Sequence, residues 1–292
     1  MASAKRIDFL EEKHRALRQH AGSIVVVKYG GAAMTDEHSR QAFARDAKVL
    51  KQAGIQLVIV HGGGKSITEV ADKLGAQTRF IDGLRYTDES MMDVVQMVLA
   101  GKMNQDIVAE LNLQNSHAVG VSGIDANLLN VKTYSDGGER LGLVGEIIGV
   151  NVSYLRLLLK NDLLPVIAPI GVSDTGQVHN INADVAAAVI AEMLCADGLI
   201  FLSDVEGVMA NGTLIDRMDE HDAEKLIDNG IITEGMIPKI RSAFSALAAG
   251  VKRVRLIDSR VPDSLLLSMS TERRSGTELT LSNTKRRQEV AS

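Results

Sequence analysis

Apolar runs that end in glycine or polar residues recur along the chain. The first two, SIVVVKYGG at residues 23–31 and IQLVIVHGGG at residues 55–64, are separated by an amphipathic helical pattern over residues 36–53. This order of strand, helix and strand predicts a βαβ unit. Later runs are apolar at nearly every position, which is typical of strands that helices cover on both faces. They are HAVGVSG, LLPVIAPIG, GLIFLSDV and VKRVRLID. The pattern predicts an α/β fold with a mainly parallel sheet.

Two segments lie outside this alternation. Residues 134–151 read YSDGGERLGLVGEIIGVN, and their glycines and short β-like pieces predict hairpins inserted in the α/β framework. Near the start, Ile7, Leu10, His14 and Leu17 recur at helical spacing, which predicts an amphipathic helix over residues 7–20. Its apolar face must pack either on its own chain or on another subunit.

Composition narrows the class of protein. The 292 residues, of which 45% are hydrophobic and 24% charged, predict an ordinary globular chain with one large domain or two joined lobes. The formal charge is −5, and no basic stripe with aromatic residues appears, so we expect a small-molecule substrate and no nucleic acid. The charged N-terminal residues, the short apolar runs and the single cysteine predict a cytoplasmic protein without a membrane span. That cysteine, Cys195, follows an apolar helical stretch, which predicts a buried position.

Two glycine turns follow the first two predicted strands. Gly30 and Gly31 come after the strand that ends near Lys28, and residues 62–64 are all glycine. Backbone amides in such turns can approach an oxyanion closely, and a helix that starts behind them adds its dipole. Structural turns use glycine as well. The triplet Gly-Lys-Ser at residues 64–66 is not a Walker A motif, because Ile59 stands where that motif requires glycine.

Polar residues open one strongly apolar helical segment, HNINADVAAAVIAEML. They place Asn180, Asn182 and Asp184 at a predicted helix N-terminus. Asp184 there either caps the helix and complements its dipole or serves a ligand.

Two lysines occupy comparable positions at element ends. Lys28 ends a strand of valines, where it either points into a cleft or extends to solvent. Lys239 follows Pro238 in GMIPKIRSAFSALAAG, a segment whose proline suits the first turn of a helix.

Taken together, these residues carry a resemblance to the amino acid kinase family, and within it to the branch that phosphorylates N-acetyl-L-glutamate. The matching stretches cover roughly residues 23–277. In chain order they are VVVKYGGAAM, VIVHGGG, FIDGLRYTD, QMVLAGKMNQDIV, AVGVSGIDA, LVGEI, LPVIAPIG, HNINADVAAAVIA, LIFLSDVEGV, IDNGIITEGMIPK and LLLSMSTE.

The resemblance implies a three-layer αβα sandwich with a mainly parallel central sheet. It implies an N-terminal helix extension over residues 1–22, an amino acid-binding lobe over residues 23–195 and a nucleotide-binding lobe over residues 196–292. It also implies a homo-oligomer, either a dimer or a hexamer of dimers joined through the N-terminal helix.

Residue roles follow from the same resemblance. Lys28 and Lys239 would stabilise negative charge on the transferred phosphoryl group, and Asp184 would hold both lysines in place. The glycines expected to offer backbone amides to phosphate oxygens are Gly30, Gly31, Gly63 and Gly64. The residues expected to bind the amino acid are Arg85 and Asn180, together with Gly63 and Gly64. Those expected to bind the nucleotide are Ser203, Asp204 and Lys239.

The implied reaction is ATP-dependent phosphorylation of the side-chain carboxylate of N-acetyl-L-glutamate, a step of arginine biosynthesis. A carboxylate nucleophile is already ionised near neutral pH, so the reaction needs alignment and relief of charge repulsion rather than a general base. No His or Cys cluster has metal-ligand spacing, so we expect magnesium to arrive with ATP. Two alternatives stay open: a related kinase for another N-acylated or carrier-bound acidic amino acid, such as aminoadipate, and a weakly catalytic regulatory binding protein.

The chain departs from the family pattern at six positions, of which Ser259, for a glycine, and Asp263, for a histidine, lie near the C-terminus. Lys65 stands where proline commonly follows HGGG, and Ala126 stands where a second glycine is usual, so the acceptor is open at this stage. Near the C-terminus, Ser268 replaces a glutamate and Arg274 a glycine in a region that builds the arginine site of the arginine-inhibited branch. Losing that carboxylate predicts an enzyme that free arginine does not inhibit, with Arg274 in part of the former site.

Overall fold

The computed structural model describes residues 17–34, 36–81, 83–135, 141–233, 235–269 and 276–282. The helices are α1 (Glu37–Gln52), α2 (Gly64–Lys73), α3 (Glu89–Gln96), α4 (Asn104–Leu113), α5 (Val152–Lys160), α6 (Ala183–Leu194), α7 (Glu220–Asp228), α8 (Ile237–Ala248) and α9 (Ser264–Met269). A π-helical turn, Met97–Met103, joins α3 to α4.

The strands alternate with these helices, as the apolar runs predicted. They are β1 (Ile24–Tyr29), β2 (Gln56–His61), β3 (Phe80–Ile81), β4 (Leu84–Arg85), β5 (Ala118–Ser122), β6 (Leu129–Thr133), β7 (Gly145–Val150), β8 (Leu164–Ala168), β9 (Ile170–Val172), β10 (Val178–Asn180), β11 (Gly198–Ser203), β12 (Met209–Ala210), β13 (Thr213–Leu214), β14 (Arg217–Asp219), β15 (Val254–Asp258) and β16 (Thr277–Thr280).

Within the described residues, an eight-stranded sheet runs in the order β14-β16-β15-β11-β1-β2-β8-β5. Its pairings are parallel except for that of β15 with β16. The register places Lys28 beside Val60 on β2 and beside Phe201 on β11. Because these strands are parallel, the residues that follow β1, β2 and β11 meet at one edge of the sheet.

Helices cover both faces of this sheet. Successive side chains of a strand point to opposite faces, and β1 shows this directly. Val26 packs in a core cluster with residues of α5, α6 and α8, whereas Val25 and Val27 pack with residues of α1, α4 and α9. The predicted three-layer αβα sandwich is therefore confirmed.

A smaller sheet, in the order β10-β9-β6-β7, lies apart from the main one. Strands β6 and β7 pair antiparallel, so β7 lies in the segment predicted to form hairpins, but its partner strand β6 precedes that segment. Strand β10 ends at Asn180, just before α6 begins. This sheet thereby brings Asn180 to the edge where the main strands end.

Three predictions from the sequence concern the N-terminal helix, Cys195 and a membrane span. Most of the helix predicted over residues 7–20 lies outside the described residues, in which Leu17 and Arg18 are helical and residues 19–22 form turns. The predicted burial of Cys195 is wrong: it ends α6 in a left-handed conformation, with φ 53°, and is exposed. In the described part of the chain, no helix has the length and apolar character needed to cross a membrane.

Candidate active site

A cleft of about 340 Å³ opens at the carboxyl edge of the main sheet. Its wall combines residues from both glycine turns, from the start of α2 and from the start of α6. Of the predicted site residues, the wall includes Lys28, Gly30, Gly31, Gly63, Gly64, Arg85, Asn180 and Asp184. Lys28 and Asp184, which are 156 residues apart in the chain, thus line the same cleft.

Two lysines share one carboxylate oxygen in this region. The Oδ1 atom of Asp184 lies 3.1 Å from Nζ of Lys28 and 2.8 Å from Nζ of Lys239. Lys28 comes from the carboxyl end of β1, Lys239 from the first turn of α8 and Asp184 from the first turn of α6. Nζ of Lys239 also lies 5.1 Å from the ring centroid of Phe201, a cation–π contact.

Burial and charge pull the pKa values of these groups in different directions. Burial alone would raise the pKa of Asp184, but the charges and hydrogen bonds of Lys28 and Lys239 outweigh it and hold that pKa below its ordinary value. Burial lowers the pKa of Lys239 to about 8, although Asp184 opposes the shift. The result is a carboxylate between two ammonium groups, a cluster with one net positive charge when both lysines are protonated.

Asn182 caps helix α6, so Asp184 does not have to. The side-chain oxygen of Asn182 accepts hydrogen bonds from the backbone N–H groups of Asp184, at 2.9 Å, and Val185, at 3.2 Å. Capping was one reading of Asp184 from the sequence. The structure gives that task to Asn182 and leaves the carboxylate of Asp184 to the lysines.

Glycine suits two positions in these turns because a side chain there would be strained or would collide with its neighbours. Gly31 has φ +67°, in the left-handed region, and lies against the backbone of Asp204. A Cβ on Gly63 would contact Leu99 and come within 2.7 Å of the sulfur of Met103. The π-helical turn therefore packs directly on the second glycine turn, and Leu99 and Met103 line the cleft. Their signal in the sequence was the matching stretch QMVLAGKMNQDIV.

Helix α2 begins immediately behind that second turn. Its N-cap residue is Gly63, which offers no side chain, so the first backbone N–H groups of α2 have no capping partner. Uncapped N–H groups at a helix start form an anion site. Phosphate binding by the glycines of this turn stays a prediction, to which these N–H groups are suited.

Arg85 lines the same cleft and donates hydrogen bonds to two residues of α2. Its Nη2 donates to the carbonyl of Gly64 at 2.8 Å and to Oγ1 of Thr68 at 2.9 Å. Its Nη1 donates to Oγ1 of Thr78 at 3.3 Å, and its guanidinium lies 4.7 Å from the ring of Phe80. Burial lowers its pKa, a change that leaves an arginine charged near neutral pH.

Asn180 contacts a threonine that the sequence analysis did not single out. Its Nδ2 donates to Oγ1 of Thr87 at 3.2 Å, and Thr87 is fully buried. Thr87 lies within the matching stretch FIDGLRYTD, which was the available signal. Asn180 lines the cleft as a further polar residue.

His61 is buried and contacts the second glycine turn. Its Nδ1 lies 2.8 Å from the carbonyl of Gly62 and its Nε2 lies 3.2 Å from Nδ2 of Asn104. Burial lowers its pKa to about 4, so it is neutral at neutral pH. Its donor and acceptor contacts indicate a positioning role.

Ser203 and Asp204 stand beside the cleft rather than in its wall. Ser203 ends β11 and its carbonyl accepts a hydrogen bond from the backbone N–H of Ser259 at 2.8 Å. Asp204 is exposed, next to Gly31. Among the described residues, no group of three or more His, Cys, Asp and Glu side chains is placed to hold a metal ion.

The departures from the family pattern fall in different places. Lys65 lines the cleft, whereas Ala126 does not; Ala126 has φ 52°, so alanine occupies a left-handed position there. Ser268 is buried in α9 and lines a separate cleft of about 480 Å³ with the cations Lys252, Arg253 and Arg255. Arg274 lies outside the described residues.

Comparison with known proteins gives consistent matches. The amino acid kinase family matches residues 23–258 of this chain. The acetylglutamate kinase of Chlorobaculum tepidum is 48% identical over 262 residues, which cover 90% of this chain and 92% of that protein. The acetylglutamate kinase of Aquifex aeolicus is 46% identical over 287 residues, covering 93% and 96%.

A solved structure gives the same picture of the fold. The N-acetylglutamate synthase from Neisseria gonorrhoeae, complexed with coenzyme A and N-acetyl-glutamate, superposes with a TM-score of 0.83 at 26% identity. The superposition covers 94% of this chain but 63% of that longer one.

Proposed function

The chain belongs to the amino acid kinase family, and from this membership we propose that it transfers the γ-phosphoryl group of ATP to the side-chain carboxylate of N-acetyl-L-glutamate. The relatives named acetylglutamate kinase, which match about nine-tenths of the chain, support the acceptor. The product would be an acyl phosphate, an intermediate of arginine biosynthesis.

The observation that carries this proposal is the shared contact of Lys28 and Lys239 with Asp184. Transfer between a carboxylate and ATP brings two anions together, so the main barrier is charge repulsion. Two ammonium groups held at fixed positions by one carboxylate relieve that repulsion without rearranging during the reaction.

The chemical step needs no general base. A carboxylate oxygen of the acceptor attacks the γ-phosphorus, the bond from phosphorus to the β,γ-bridging oxygen breaks, and ADP leaves with that electron pair. Lys28 and Lys239 stabilise charge on the oxygens in transfer, and the N–H groups of the glycine turns at Gly30, Gly31, Gly63 and Gly64 contact phosphate oxygens. The dipole of α2 points its positive end at the same region.

The two substrates would bind to residues from different parts of the chain. Arg85 and Asn180 face the acceptor, which assigns residues 23–195 to amino acid binding. Ser203, Asp204 and Lys239 lie toward the nucleotide, which assigns residues 196–292 to ATP. Magnesium enters bound to the phosphates of ATP as part of that substrate. A homo-oligomer in the cytoplasm completes the proposal.

An acyl phosphate reacts with hydroxylamine, so turnover can be measured directly with ATP, magnesium and a panel of acceptors. We expect turnover with N-acetyl-L-glutamate and little with unacylated glutamate. Turnover with aminoadipate derivatives alone would favour the related kinase, and no turnover with any acidic amino acid would favour a binding protein.

Variants separate the proposed roles. Lys239→Ala should lower kcat by about 100-fold or more, because it removes a charge that acts on the transferred group. Arg85→Ala should chiefly raise KM for the acceptor. Lys73→Ala, an exposed lysine at the far end of α2, serves as the control and should change neither. The reverse pattern in the first two variants would overturn the roles.

A further inference from the structure

Asn104 is a buried polar residue that the reaction described above does not use. It is 1% exposed and begins α4, directly after the π-helical turn. Its Nδ2 lies 2.8 Å from the carbonyl oxygen of Val166 on β8 and 3.4 Å from that of Val121 on β5. Because carbonyl oxygens only accept hydrogen bonds, the NH2 side of the amide must face them.

That orientation determines which nitrogen of His61 carries the proton. Nε2 of His61 lies 3.2 Å from the same NH2 group of Asn104, so Nε2 must accept and cannot hold a hydrogen. Nδ1 lies 2.8 Å from the carbonyl oxygen of Gly62 and must therefore donate. Burial keeps the ring neutral, with a pKa of about 4, so its single proton is on Nδ1. Both contacts require the same tautomer.

The other backbone groups of the second glycine turn mostly have partners. The N–H of Gly62 donates to a carbonyl of β1 at 2.8 Å, and the carbonyl of Gly63 accepts from the N–H of Ile67 at 2.9 Å. The carbonyl of Gly64 accepts from Nη2 of Arg85 at 2.8 Å. Within the part of the chain that the structure describes, the N–H groups of Gly63 and Gly64 have no partner. The turn therefore leaves these two donors for a ligand.

The contact of His61 sets the direction of one of these donors. The C=O of Gly62 and the N–H of Gly63 belong to one trans peptide, in which they point in opposite directions. His61 is fully buried, whereas Gly62 and Gly63 line the cleft, so holding the carbonyl toward His61 directs the N–H away from the core. With the proton on Nε2 instead, two lone pairs would face each other, and the peptide would turn its carbonyl toward the ligand.

The π-helical turn explains how Asn104 reaches this position. Each residue of an α-helix turns the chain by about 100°, so the wider turn over residues 97–103 rotates Asn104 relative to an uninterrupted helix. The same turn packs Leu99 and Met103 on Gly63. One segment therefore holds the second glycine turn in two ways, through apolar contacts with Gly63 and a polar contact with His61.

We propose that Asn104 and His61 are positioning residues for phosphoryl transfer. Asn104 fixes the proton of His61 on Nδ1, and His61 holds the carbonyl of Gly62 so that the N–H of Gly63 contacts a phosphate oxygen of ATP. This assignment rests on the proposed function, because it concerns the nucleotide of the same reaction. It requires a donor at the position of Nδ1 rather than an imidazole ring as such.

Two amides that mimic different ring nitrogens test the assignment. In His61→Asn the side-chain NH2 group lies near the position of Nδ1, whereas in His61→Gln the amide lies near that of Nε2. We expect His61→Asn to retain more of the wild-type kcat/KM for ATP than His61→Gln, by about 10-fold or more, because only asparagine can donate to Gly62. If His61 served only to satisfy Asn104, the order would reverse, since only glutamine reaches that amide. Equal values or the reversed order would overturn the assignment.

The proton on His61 can also be observed without turnover. In protein labelled with ¹⁵N at histidine, the ring nitrogen shifts distinguish a protonated nitrogen from an unprotonated one, and the signals lost in His61→Asn belong to His61. We expect the wild type to carry the proton on Nδ1. A proton on Nε2 in the wild type would overturn the assignment.

Asn104→Leu tests the other member of the pair, because it removes the amide at similar size. It should populate the Nε2 form of His61 and lower kcat/KM for ATP by about 10-fold or more. Asn112→Leu is the matched control: Asn112 lies on the same helix, and its amide bonds to the backbone of Ala118. The control should change neither the tautomer nor the kinetics. An Asn104→Leu protein that keeps both wild-type values would refute the role of Asn104.

A failure of the proposed function would look different. If wild-type protein phosphorylates no acidic amino acid, the function is wrong, and calorimetric titration of ATP with magnesium into the two His61 variants replaces the kinetics. Tighter binding by His61→Asn than by His61→Gln would support the contact with phosphate. Equal affinities, or no binding of ATP by the wild type, would overturn it.

Discussion

Lys239 provides a pH-dependent test of the site. Its side chain is nearly buried, with 7% of the residue exposed. Burial, partly opposed by Asp184, lowers its pKa from 10.5 to about 8. A change of that size means that the free site disfavours the charged form by about 3 kcal/mol relative to water. The proposed function requires the charged form, because only an ammonium group stabilises the phosphoryl oxygens.

The activity of the free enzyme should fall at high pH, because the reaction requires protonated Lys239. Below pH 8 Lys239 is protonated and the free enzyme is competent; above pH 8 the proton is lost, and kcat/KM for ATP should fall about tenfold per pH unit. Bound ATP places negative charge beside Lys239 and raises its pKa, so kcat measured at saturating ATP should fall only at higher pH. The hydroxylamine assay is unsuited to a pH series, so coupled detection of ADP is the appropriate measurement.

Two variants test whether the fall in kcat/KM for ATP above pH 8 comes from Lys239. Lys239→Arg carries a charge that is not lost below about pH 12, so whatever activity remains should not fall between pH 8 and 10. Asp184→Asn removes the charge that keeps the pKa of Lys239 from falling further, so its profile should fall at lower pH than the wild type. The reasoning fails if the wild-type profile is flat through pH 9, or if Lys239→Arg reproduces the wild-type fall.

Three further predictions follow from particular residues. Ala126→Gly should raise the free energy of unfolding by about 1 kcal/mol in urea denaturation, since glycine relieves the left-handed φ of 52° and gives back part of the gain as unfolded-state entropy; a destabilised variant would contradict this. Gly63→Ala should lower kcat/KM sharply, because its Cβ would collide with Leu99 and Met103 and displace the start of α2; wild-type kinetics would show that the turn tolerates a side chain. Free L-arginine should not inhibit, because the cleft beside Ser268 is lined by three cations and one carboxylate; strong sigmoidal inhibition in a titration of activity would refute this.

Much of the architecture could be predicted because parallel strands bury both faces and therefore appear as continuous apolar runs. The runs at residues 23–31 and 55–64 became β1 and β2, and the helix between them became α1. The predicted residue roles depended on resemblance, since spacing alone does not show that Lys28 and Lys239 share a partner. Those roles stay predictions, although the contacts of both lysines with Asp184 are present in the structure.

Other features could not be predicted because they depend on which side chains compete for the same partner. Asn182 and Asp184 were both possible caps of α6, and only the three-dimensional arrangement shows that Asn182 takes the backbone N–H groups. Arg85 was expected to bind the acceptor, which stays a prediction, and only the structure shows that three of its donors contact Gly64 and Thr68 of α2 and Thr78. The burial of Cys195 was predicted wrongly, because a left-handed residue that ends a helix turns the chain at the surface.

The sequence by itself determined the alternation of strands and helices, the two glycine turns and the placement of charged residues at element ends, since each depends on local periodicity and backbone freedom. The tertiary structure alone decided which of those ends meet. Lys239 is 55 residues from Asp184 in the chain, and their contact exists because parallel strands and the helices between them bring several loops to one edge of a sheet.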